Sequence, residues 1–123
     1  VSKIAIKTGS TSEFFARGRR LAKLADEGKP IPAEQIITFE DPADLARVLT
    51  STRIQLIRRI KARPGSITAI AQDLGRDRSA VKRDVDVLAQ FGILMVVDKP
   101  LPGHGRHKEV RTAARKLKLE AAI

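Results

Sequence analysis

Apolar residues in the middle of the chain recur at helical spacing. Ile67, Ile70 and Leu74 stand three and four apart, and so do Val81, Val85 and Leu88. Each set lines one side of a helix. Between them lies Gly75-Arg76-Asp77, where Gly can take the positive φ that ends a helix and Asp77 can cap the next. The pattern predicts a short helix over Ala69–Leu74 with Thr68 as its N-cap. A second helix runs from after Asp77 to about Phe91 and stops at Gly92. Two short helices with facing apolar stripes across a Gly turn make a helix-turn-helix. On the second helix Ser79, Lys82, Arg83 and Asp86 fall opposite the apolar stripe, with Arg76 and Arg78 at its start. Asp86 breaks the basic pattern: it either orients Lys82 or Arg83 or marks where the helix leaves the groove.

Upstream, Lys3-Ile4-Ala5-Ile6-Lys7 alternates and reads as a strand. A helix follows from about Ser12 to Asp26, capped by Thr11 or Ser12, with Phe14, Phe15, Leu21 and Leu24 as an uneven stripe. Lys29-Pro30-Ile31-Pro32 is a stiff connection, and Ile36–Phe39 is a second strand. A strand-helix-strand unit of this size buries too little to fold alone. It needs the rest of the chain, a second copy or a partner. Asp41-Pro42-Ala43-Asp44 starts a helix with Leu45, Val48 and Leu49 inside. Ser51 or Thr52 caps the next, through Arg63. There Ile54, Leu56, Ile57 and Ile60 point inward and Arg53, Arg58, Arg59 and Lys61 outward, completing a three-helix core with the helix-turn-helix.

Downstream, Leu94–Asp98 and His107–Arg111 are strand-prone and flank the turn-rich Pro100-Leu101-Pro102-Gly103-His104-Gly105-Arg106. A strand, a Gly-rich loop and a strand directly after a recognition helix make a wing. Thr112 to Leu119 reads as a basic C-terminal helix that offers Leu117, Leu119 and Ile123 for a dimer contact.

Charge sharpens this picture. The net charge is +10, which favours polyanionic partners. It is uneven: residues through Glu40 hold seven Lys/Arg against five Asp/Glu, and the remainder seventeen against nine. The basic excess travels with the helix-turn-helix. With four Phe, no Trp and no Tyr, base stacking of the kind single-strand and RNA binders use has few side chains to draw on. Cysteine is absent, so there is no disulfide framework, thiolate metal site or Cys nucleophile. No apolar run is long enough to span a bilayer and no signal-peptide core opens the sequence, so a cytoplasmic location is expected.

No phosphate-binding Gly loop with its lysine is present, no Ser or Thr stands by a plausible base, and no carboxylates pair on one helix face. His104 and His107 alone are a poor metal set. We expect neither an enzyme nor a metal or other cofactor, and a loop His is better placed to meet a phosphate. The residues point to double-stranded DNA. Arg76, Arg78, Ser79, Lys82 and Arg83 form a major-groove set, and His104, Arg106 and Lys108 a wing set beside the phosphates. A basic helix face is also what an ordinary solvated helix presents. It is the flanking core helix and wing that favour DNA. The competing reading is a winged-helix module for protein–protein or non-specific nucleic-acid binding.

With these elements placed, the stretch LTSTRIQLIRRIKARPGSITAIAQDLGRDRSAVKRDVDVLAQFGIL and the wing from Asp98 to Lys108 resemble winged helix-turn-helix regulators of the broad MarR/ArsR kind. A closer resemblance spans almost the whole chain. A small archaeal and bacterial family assigned to DNA binding has an N-terminal strand and helix, a strand followed by D/S-x-x-x-L-A-x-V-L, and then the winged helix. Here Ile36–Glu40 leads into Asp41-Pro42-Ala43-Asp44-Leu45-Ala46-Arg47-Val48-Leu49, and Gly75–Arg83 is similar to that family's recognition segment. The wing's Pro100–Arg106 and the basic tail lie outside the matched motifs. The resemblance implies a repressor that binds its own promoter as the antitoxin of a toxin–antitoxin pair, with the toxin covered by residues Val1 to Glu40.

The expected fold is mainly α with a small β wing: a winged helix-turn-helix with an N-terminal strand-helix-strand extension. Residues 1–40 form the extension, for dimerisation or toxin docking. Residues 41–111 form the DNA-binding domain, and 112–123 the C-terminal helix. A homodimer is expected, because two half-sites add affinity and specificity. The extension and the C-terminal helix compete as its surface.

Overall fold

The computed structural model describes residues 2–103 and 105–123. In chain order the elements are β1 (Lys3–Thr8), α1 (Thr11–Asp26), β2 (Glu34–Phe39), α2 (Pro42–Val48), α3 (Ser51–Ala62), α4 (Ile67–Leu74), α5 (Arg78–Gln90), β3 (Leu94–Leu101), β4 (Gly105–Thr112) and β5 (Lys116–Glu120). They fall into two compact units, residues 1–47 with Lys116–Ile123, and Val48–Arg115.

The first unit is built on a parallel three-stranded sheet in the order β2-β1-β5. β1 pairs with β2 from Lys3↔Glu34 to Thr8↔Phe39, and with β5 from Lys3↔Lys116 to Lys7↔Glu120. Parallel neighbours need a crossover, and α1 supplies the one between β1 and β2. As the central strand, β1 buries Ile4, Ala5 and Ile6 in succession, the run expected of a strand covered on both faces. α1 is capped by Ser10, whose hydroxyl accepts from the Glu13 amide at 3.1 Å. None of its sixteen residues is buried. α2 begins as its sequence requires: Pro42 takes the first helical position and the Asp41 carboxylate accepts from the Ala43 amide at 2.9 Å.

This sheet corrects three expectations. The C-terminal segment is a strand, not a helix. Lys116-Leu117-Lys118-Leu119-Glu120 alternates with period two, which fits a strand, and β1 offers it an open edge. Thr112, placed in that helix, closes β4 instead. The fold is accordingly mixed α and β rather than mainly α with a wing. The boundary expected at residue 40 lies beyond Arg47, and the tail joins the N-terminal unit instead of standing apart.

The second unit is the winged helix. α3, α4 and α5 bury Leu56, Ile57, Ile60, Ile70, Val81, Val85 and Leu88, and Ile93, Leu94 and Val110 close the core. The stripes are those the periodicity marked. The caps sit one or two residues earlier than expected. Thr50 accepts from the Arg53 amide at 3.2 Å and Ser66 from the Ala69 amide at 3.1 Å. Each lies three residues before the amide it receives, the spacing a side-chain cap needs. Gly75 ends α4 at φ 62° and ψ 33°, a left-handed conformation costly for any residue with a Cβ. β3 and β4 pair antiparallel from Leu94↔Thr112 to Leu101↔Gly105. The strands therefore run past the Pro100 and Arg106 expected in the loop. Gly65 exchanges hydrogen bonds with Val110 at 2.7 and 3.2 Å, a single-residue third strand that ties the α3–α4 connection to the wing.

Arg59, expected to point outward, folds back with Arg63 onto one oxygen of Asp73. The Asp73 Oδ2 lies 2.7 Å from Arg59 Nη2 and 2.7 Å from Arg63 Nη2. The hydrogen bond from Arg59 is the largest cause of a lowered Asp73 pKa. A carboxylate whose pKa is depressed by folding contributes stability above its unfolded pKa, and loses it as pH falls through the folded value. Asp73→Asn should therefore flatten the acid-side decline in stability below about pH 4, read as a smaller difference between urea midpoints at pH 7 and pH 3. An unchanged difference would remove Asp73 from the acid response.

Candidate nucleic-acid interface

α5 presents its buried stripe inward and its polar residues outward because the two recur half a turn apart on one helix. Arg78, Ser79, Lys82 and Arg83 are all exposed. Their surroundings differ. Arg78 donates from Nε to the Thr68 hydroxyl at 3.1 Å, linking α5 to α4. Asp77 is the N-cap residue, but its carboxylate makes no side-chain cap bond, contrary to expectation; it accepts instead from the Ser79 hydroxyl. That bond is the largest cause of a lowered Asp77 pKa, with the charge of Arg83 among the smaller ones. Lys82 lies 2.8 Å from Asp86 one turn on, so Asp86 orients Lys82 rather than Arg83. Arg83 makes no hydrogen bond or ion pair among the described residues and projects its full donor set into solvent.

Arg76 is different in kind. It is half-buried, with Nη2 2.9 Å from Asp84 Oδ2. The other oxygen of Asp84 takes Arg53 Nε at 3.1 Å. Arg53 also donates from Nη1 to the Val48 carbonyl at 3.0 Å. Asp84 thus joins the first turn of α3, the α4–α5 turn and the middle of α5. Arg53, expected to face solvent, is an anchor. Sequence reading passed over this trio. Its one signal was Asp84 itself, a carboxylate set three residues after Val81 and next to Val85, on the flank of the apolar stripe.

On the wing, side chains alternate between two faces. Arg106 and Lys108 share the face of buried Val110 and lie toward the tip. Arg106 donates to the Asp98 carbonyl at 3.4 Å, and Lys108 is exposed with no partner among the described residues. The opposite face carries its own ion cluster. Glu109 sits 2.6 Å from Arg111 and 3.2 Å from Lys99, and the bond from Arg111 is the largest cause of its lowered pKa. His107 is half-buried there, its Nδ1 without a partner. His104, the third member of the wing set, lies outside the described residues. Gly103 and Gly105 both hold φ 78°, a left-handed conformation that Gly adopts without strain where the wing strands end. Among the described residues no three His, Cys, Asp or Glu side chains gather to hold a metal ion. No helix among them is long and apolar enough to cross a membrane.

The family model HVO_A0114 matches residues 48–119, more than half of the chain and the whole of the unit Val48–Arg115. No curated protein matches the sequence. Among solved structures, the chain is similar to a protein from Methanosarcina mazei Go1 described as a possible transcriptional regulator, with 22% identity and a TM-score of 0.47 over 60% of this chain and 66% of that one. It thus spans just under two thirds of that protein's length. It is also similar to a homodimeric winged helix-turn-helix DNA-binding domain from Mycobacterium bovis, a possible ArsR-family transcriptional regulator solved by NMR. There the identity is 18% and the TM-score 0.48, over 77% of this chain and 71% of that domain.

Proposed function

The chain belongs to the HVO_A0114 family, and from that premise we propose that it is a sequence-specific double-stranded DNA-binding regulator, a repressor rather than an enzyme, that reads its operator as a homodimer. The observation that carries this reading is the exposed row Arg78, Ser79, Lys82 and Arg83 on the solvent side of α5, where Arg83 keeps every donor free. An α-helix fits the major groove, and an unpaired guanidinium matches the O6 and N7 acceptors of guanine. Lys82 can trade Asp86 for a phosphate or a base, since both partners of that pair are exposed and such pairs are weak. Arg76 serves the fold in this reading. The wing adds Arg106 and Lys108 against the sugar-phosphate backbone. The toxin-neutralising role stays with the sequence resemblance, since no residue of the geometry argues for it.

Selection of bound fragments from a random duplex pool at near-physiological salt tests the proposal. Recovery of an inverted repeat with half-site centres about 34–36 Å apart supports a dimeric sequence reader. Fragments without a common sequence would mean that the +10 charge acts generically, and would favour the non-specific module. On the selected site, Arg106→Ala should reduce the slope of log K against log salt by about one while leaving base preferences in place. A slope that does not move takes the wing off the contact surface.

A further inference from the structure

We propose that the outer edge of β2 and the groove beside it form the interface between two copies of this chain, the two β2 strands pairing antiparallel across a twofold axis. The inference rests on the dimeric reading above and names its surface. The sheet has two open edges, β2 and β5, and an open edge is a template for another strand unless charge or shape blunts it. β5 is blunted: Lys116, Lys118 and Glu120 put three charges into five residues, and although Lys118 and Glu120 lie 3.8 Å apart, Lys116 stays uncompensated among the described residues. β2 is not. Its six residues, Glu34–Phe39, carry one charge, and that charge is spent on Lys3 of the neighbouring strand at 3.8 Å. β2 is also compatible with itself. Antiparallel pairing centred on Ile36 sets Ile36 against Ile36 of the second copy, Gln35 against Ile37 and Glu34 against Thr38, each pair on one face of the sheet and with no like charges opposed.

A six-residue edge is only about 20 Å long, short of the roughly 800 Å² per partner that a stable interface covers. α1 supplies the remainder. It has no buried residue, and Phe14 and Phe15 are 51% and 56% exposed. Between α1 and β2 runs a groove of about 650 Å³ walled by Phe14, Gly18, Leu21, Leu24, Pro32 and Ile36. Arg17, at the same groove, is already engaged by the Thr38 hydroxyl at 3.0 Å and by the Phe14 ring, and Arg20 and Glu34 add one charge of each sign to the groove wall. A Cβ added to Gly18 would meet nothing within 4 Å, which leaves room for a close approach. The twofold of an antiparallel strand pair stands perpendicular to the sheet. The second copy's α1 therefore lies on the same sheet face, across the shared edge, where its exposed phenylalanines can cover the groove.

The chain has no cysteine, so single thiols can be placed and spin-labelled cleanly. Gln35→Cys on β2 and Lys118→Cys on β5 are both at exposed positions. In a sheet continued through β2, labels at residue 35 stand within about 15 Å of each other, whereas β5 and its copy are five strand spacings apart, about 24 Å. Full-chain protein of dimeric mass should show strong dipolar broadening for Gln35→Cys and much weaker broadening for Lys118→Cys. Dimeric mass with broadening at residue 118 alone, or at neither position, overturns the interface and leaves the dimer standing. Monomeric mass both free and on the selected DNA overturns the dimeric reading and this inference with it.

Discussion

Replacing Asp84 with Ala should destabilise the unit Val48–Arg115 by about 3 kcal/mol, the low end of what removing one partner of a buried ion pair costs. The Asp84 side chain is 15% exposed, and those of Arg53 and Arg76 are 20% and 25% exposed. The substitution strands two poorly hydrated guanidinium groups where one carboxylate had served both. Arg76 is already short of partners, because its Nη1 is buried without one, so it has no second acceptor to turn to. Asp84→Asn keeps the size and one acceptor oxygen and should fall between the two. Urea midpoints at pH 7 measure this without the added salt of guanidinium, which would screen the very charges in question. The same change should weaken DNA binding to every sequence alike, since it loosens the seat of α5 and removes no base contact. An unchanged midpoint for Asp84→Ala would show that the trio holds nothing in place.

Arg83→Ala should act in the opposite manner. Arg83 touches no other described residue through a hydrogen bond or ion pair, so stability should stay within about 0.5 kcal/mol of the parent. Affinity for the selected site should fall by about 1–3 kcal/mol, roughly 5- to 150-fold, with preference relaxed at one base position. Repeating the duplex selection with the variant reads both effects. Equal loss on all sequences would assign Arg83 to phosphate, and an altered urea midpoint would assign it to the fold. The pair of variants separates a residue that builds the reading helix from one that reads.

The residues of the helix-turn-helix were legible because their determinants are local. A 3.6-residue period at Val81, Val85 and Leu88 and a glycine able to hold φ 62° act within a few residues of one another. The wing was legible for the same reason, since a hairpin is closed by its own turn. Side-chain caps were misplaced by one or two residues because several adjacent Ser and Thr can each accept an amide, and only the path of the chain selects among them.

What the sequence could not decide turns on partners far away along the chain. Lys116–Glu120 is too short to choose between a basic helical turn and a strand by itself. Its state follows from β1, more than a hundred residues earlier, whose open edge accepts it in parallel register. Arg76 and Arg83 look alike as letters beside a recognition helix. Their roles separate only when Asp84 is found to hold Arg76 together with Arg53 from 31 residues before it. By itself the sequence determined the helices of the winged-helix unit, their buried stripes and the excess of positive charge that travels with them. Tertiary structure alone decided which of those charges are spent inside the protein and which remain for a partner, because an ion pair depends on distance in space and not on spacing along the chain.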